Sequence, residues 1–94
     1  MDKDILKEKF QAEVKQWQTH LEELTVQVKL GSMEASDKLK EEQKKIEAEL
    51  AQAKVDLKKL DEATGEAWKN ISDGMKTSFE TMKEAFSQAK KHYK

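Results

Sequence analysis

The chain has 94 residues, of which 39% are charged, 36% hydrophobic and 6% aromatic, with no proline, no cysteine and three glycines. That excludes disulfides and thiolate metal sites and leaves few turn signals, while the abundance of Ala, Glu, Lys, Leu and Gln favours long helices. All eighteen basic residues are lysine and the net charge is -1, so there is neither a guanidinium fork for phosphate nor a general field to attract nucleic acid.

The first predicted helix covers about residues 3–30. Its stripe is Leu6, Phe10, Val14, Trp17, Leu21, Leu24 and Val28, spaced by three or four residues as in a coiled-coil seam. Gly31-Ser32 ends it: glycine is a C-cap signal, and Ser32 ahead of Met33-Glu34 is an N-cap signal. A second helix is predicted over about 33–62, with the stripe Ala35, Leu39, Gln43, Ile46, Leu50, Ala53, Leu57 and Leu60. The two stripes mirror each other about the glycine. If the chain folds back at residues 31–32, Trp17 faces Ile46, Val14 faces Leu50, Phe10 faces Ala53 and Leu6 faces Leu57. Nearly every apolar residue then finds an apolar partner, with large opposite small at Phe10 and Ala53. Gln43, opposite Leu21, is the exception. A polar seam residue can fix register, but a solvent-facing side chain is the simpler expectation.

The third segment, about 64–92, continues through Trp68, Ile71, Met75, Phe79, Met82, Phe86, Ala89 and Tyr93. "EAWKNISDGMK" and "TSFETMKEAFS" stack, with Trp68 over Phe79, Ile71 over Met82 and Met75 over Phe86. This reads as an eleven-residue period, 3.67 residues per turn. The hairpin seam of Leu6, Phe10, Val14, Trp17, Leu21, Leu24, Val28, Leu39, Ile46, Leu50, Leu57 and Leu60 is already paired. The face formed by Trp68, Ile71, Met75, Phe79, Met82, Phe86 and Tyr93 therefore needs another partner.

The expected architecture is all-α: an antiparallel hairpin whose second helix runs on without a break, ~88 Å from about residue 34 to 92. A glycine within a helix costs only about 1 kcal/mol, so Gly65 and Gly74 need not interrupt it. The alternative is a three-helix bundle closed by a turn at residues 61–65. In the extended form the third segment pairs with another copy, making a homo-oligomer. An anionic lipid surface is the competing partner, since Trp and Phe share one face and residues 64–94 carry six lysines against four acids. Lys90, Lys91 and Lys94 also complement the helix dipole, which is the simpler account of them.

"DEATGEAWKNISDGMKTSFETMKEAF" resembles the C-terminal signature of a family of short bacterial helical proteins commonly labelled coiled-coil or stress-response proteins. Gly65, Glu66, Ala67 and Trp68 match its Gly-Glu-Ala-Trp start, and Phe79 stands where a second Trp is frequent. The upstream hairpin with Trp17 is also similar. The resemblance implies a non-enzymatic role in stress tolerance. Eleven-residue repeats are similar as well to those of apolipoproteins and desiccation-protection proteins, which keeps lipid in view.

No catalytic residue, cofactor-binding residue, metal ligand or small-molecule substrate is expected. Neither His20 nor His92 has a Glu three residues before it, as a helical di-metal site requires. His20, beside Glu23 and off the seam, is expected to face solvent. There is no phosphate-binding glycine loop and no nucleophile elbow. No apolar run reaches the roughly 18 residues of a membrane span, and no signal-peptide core follows Met1, so a soluble cytoplasmic protein is expected.

Overall fold

The computed structural model describes residues 3–93. It is all-helical, with α1 at Lys3–Leu30, α2 at Met33–Glu62 and α3 at Gly65–Lys90. The described residues measure 48 × 18 × 17 Å. A 30-residue helix is ~45 Å long, so three helices lie side by side. The expected continuous α2–α3 helix is therefore corrected, and the bundle held as its alternative is observed.

The reason lies at three residues. Ala63 and Thr64 are extended, with ψ of 144° and 157°. Gly65 follows at φ +57°, a left-handed backbone that glycine adopts at little cost and that most other residues, alanine included, avoid. The cost of a glycine within a helix is correct as a magnitude, but burying the whole face of α3 outweighs it many times over.

The first turn is tied more tightly. Ser32 caps α2, its hydroxyl accepting from the Ala35 N–H at 3.2 Å. The Ser36 hydroxyl reaches across to donate to the Val28 carbonyl at 3.0 Å. Gly31 does not have a positive φ. It serves instead by its size, since an added Cβ would come within 3.3 Å of the Gln27 carbonyl.

The predicted seam residues all join one core. Leu24, Leu39, Ile46 and Ala53 are fully buried, and Leu21, Val28 and Leu57 are half-buried at the edges. Gln43 is not turned to solvent. It is half-buried and its amide donates to the Thr25 hydroxyl at 2.8 Å, while that hydroxyl donates to the Leu21 carbonyl at 2.9 Å. Lys7 pairs with Asp61 across the other end of the hairpin. Both contacts land one helical turn away from the mirror pairing, as long side chains leaning along the helix axis allow.

Within α3, Gly74 lies on the outer surface and a Cβ there would meet nothing within 4 Å. Glycine in a helix interior carries an entropic cost with no packing benefit here. Gly74→Ala should raise stability by about 1 kcal/mol, read as a higher denaturant midpoint at unchanged slope; a lower midpoint would mean that the space is not free.

Candidate interaction face of the third helix

α3 holds the residues expected to form the interaction face, and the bundle closes over them. Met75, Phe79, Met82 and Phe86 are buried, with Trp68, Ile71 and Tyr93 half-buried around them. Ser72, which the sequence reading left out, is buried on the same side together with Ser78, Ala85 and Ala89. Together these residues form three lines of seven-residue spacing: Trp68, Met75, Met82, Ala89; Ile71, Ser78, Ala85; and Ser72, Phe79, Phe86, Tyr93. A face three lines wide suits a helix with two neighbours, whereas two lines suit one. The eleven-residue match is a step of one heptad plus four, from one line to the next. It therefore reports the breadth of the face and not a separate periodicity.

The two neighbours meet this face differently. The backbones of α2 and α3 run close along their length, whereas α1 and α3 approach at few points. Small residues permit the first; Ala85, for example, lies beside Glu42 and Lys45 of α2. Aromatic rings bridge the second. Phe10 and Phe79 stand 5.7 Å apart, and Trp17 meets Phe86 edge-on, also at 5.7 Å. The Lys3 ammonium lies 5.5 Å from the Trp68 ring centre, beyond the near end of this ladder. Both aromatic pairs join positions seven apart on each helix, so α1 and α3 are parallel and in step.

His20 belongs to this cluster, contrary to the expectation that it faces solvent. Its ring is 4.6 Å from Phe86 and 5.1 Å from Trp17. Its Nδ1 is 3.8 Å from Glu23 Oε2, beyond hydrogen-bonding reach. The missed signal was that position 20 is one heptad beyond Glu13 and two beyond Leu6, on the flank of α1 that only a third helix would cover. Tyr93 ends the ladder, 6.1 Å from Phe86. Burial, with a smaller contribution from the charge of Glu23, pushes its phenol above the usual range.

Outside the ladder, α1 and α3 leave an open groove of about 400 Å³ over Trp17 and Phe86. Its rims are charged oppositely, Glu13 on α1 and Lys83 and Lys90 on α3. The Lys90 ammonium lies 4.9 Å from the Phe86 ring centre. Further round α3, Lys69, Lys76, Lys83 and Lys90 recur every seven residues, but Glu66, Asp73 and Glu80 form a parallel line beside them. The outer surface of α3 is thus balanced in charge. Among the described residues no group of three or more His, Cys, Asp or Glu side chains is arranged to hold a metal ion, and no helix is long and apolar enough to cross a membrane.

Trp17 is 6% exposed. Trp17→Ala should destabilise the fold by about 3–5 kcal/mol, as for other large aromatic truncations. A double-mutant cycle with Phe86→Ala should show a coupling of about 1 kcal/mol from the edge-on contact; additive losses in thermal melts would count against it.

Comparison of the chain with protein-family models, with curated proteins and with solved structures finds no match in any of the three.

Proposed function

We propose that this chain is a non-enzymatic helical interaction protein that self-associates through α3, in keeping with the stress-tolerance role that its C-terminal signature implies. The observation that supports the reading is the breadth of the α3 face. It carries eight buried residues against five on each of the other helices. Such a face is complementary to an α1–α2 hairpin, and every copy of the chain presents the same hairpin. The geometry also alters the expected route. Because the face is covered within the chain, association requires α3 to leave its own hairpin, and charges placed at Trp68 and Phe79 would disrupt the monomer as well as the assembly.

An anionic lipid surface is the competing partner for a released α3. The folded exterior offers it little, since the lysine line is offset by the acidic line beside it. Light scattering across a concentration series should show a mass rising above the 10.9 kDa of one chain. Anionic vesicles should leave the helical signal and the tryptophan emission unchanged. A constant mass of one chain, together with a blue-shifted emission on vesicles, would replace self-association with lipid binding.

A further inference from the structure

We infer that the α2–α3 turn is a hinge that straightens, so that two copies of the chain exchange their third helices. The inference rests on the self-association just proposed and specifies how it is reached.

The two turns of the bundle are unequal. The first is fastened by the Ser32 cap at 3.2 Å and by the Ser36 hydroxyl bond to the Val28 carbonyl at 3.0 Å. At the second, Thr64 makes no side-chain capping bond. The backbone bond from the Ala63 N–H to the Lys59 carbonyl, at 3.0 Å, continues the helical pattern of α2 and would survive straightening. The Lys7–Asp61 pair joins α1 to α2 only and is more than a third exposed on the acid side, so it does not hold α3 back.

Nothing in the hinge is barred from a helix. Only Ala63 and Thr64 separate α2 from α3, and the chain has no proline. Leu57, Leu60, Thr64, Trp68 and Ile71 keep steps of three or four residues through the turn. A straightened helix would therefore carry its apolar stripe from one segment into the next. What maintains the turn locally is the φ of +57° at Gly65, in open space.

The occupant of the vacated hairpin is the α3 of a second copy. In the bundle α3 lies antiparallel to α2 and parallel to α1. Two straightened α2–α3 helices, set side by side in opposite directions, reproduce this at each end. Each α3 then lies beside the other chain's α2 and in step with its α1. The pairs Phe10 with Phe79 and Trp17 with Phe86 re-form between chains. All α3 contacts are conserved, and only the hinge differs. Each long helix would span residues 33–90, ~87 Å at 1.5 Å per residue.

Substitution of Gly65 by alanine tests this in the full-length chain. Alanine disfavours the left-handed turn and favours the straight helix, each by roughly fivefold in equilibrium, so with two hinges per dimer the association constant should rise by roughly several hundredfold. Mass by light scattering should double from 10.9 kDa. The longest dimension in X-ray scattering should grow from the 48 Å of the bundle to that of the long helix. Gly65→Asn, which tolerates the left-handed backbone, should behave as wild type. Three glycines inserted between Thr64 and Gly65 should leave only monomer. If wild type self-associates but the insertion associates equally well, the hinge is overturned while self-association stands. If wild type and Gly65→Ala both remain 48 Å monomers at millimolar concentration, both readings fail; if Gly65→Ala only melts earlier, without gaining mass, the exchange fails.

Discussion

The aromatic contact between α1 and α3, Phe10 on Phe79 and Trp17 on Phe86, is the constraint on which the closed bundle depends. The backbones of these helices do not come close along most of their length. Only large side chains can fill the space between them. Burying a ring of this kind contributes about 1.5–3 kcal/mol, and edge-on or tilted pairs add about 0.5–1.5 kcal/mol each. Two such pairs are comparable to a good fraction of the net stability of a small domain. They also set direction and phase, because rings at the same seven-residue spacing on both helices meet only when the helices run in step.

The remaining packing follows from that spacing. With α1 and α3 held apart by rings, α2 lies against both, and it meets α3 across small residues such as Ala85. The polar atoms in the interior are few and local. Ser72 donates to the Lys69 carbonyl of its own helix at 3.2 Å, while Gln43 and Thr25 join α1 to α2. That last pair acts as a register mark, since an unpaired amide at a half-buried position would cost about 1–3 kcal/mol. A bundle built this way separates into a well-tied hairpin and a third helix held by its face alone, the division on which the functional proposal rests.

Much of this was legible residue by residue. The Ser32 cap, both helix spans, the seam from Leu6 to Leu60 and the membership of the α3 face follow from spacing and capping, which are local properties of a helix. His20 and Gln43 were misjudged for one shared reason. Each sits on a flank that looks exposed when two helices are considered and becomes partly covered when the real neighbour or register is in place. The eleven-residue match misled similarly, because a period read along one line cannot distinguish a changed helical pitch from a wider face.

By itself, the sequence determined that the chain is helical, where α1 stops and α2 starts, and which side of each helix is apolar, because 3.6-residue periodicity and capping act within a few residues. Only the tertiary structure decided that Gly65 turns and does not run on. A glycine leaves both outcomes open at a cost of about 1 kcal/mol, and the choice is made by burial of a face some twenty residues long. It also decided that Met75, Phe79 and Phe86 are interior to the folded chain. Exposure is a property of what lies opposite a residue, and for α3 that is an α1 more than sixty positions earlier in the sequence.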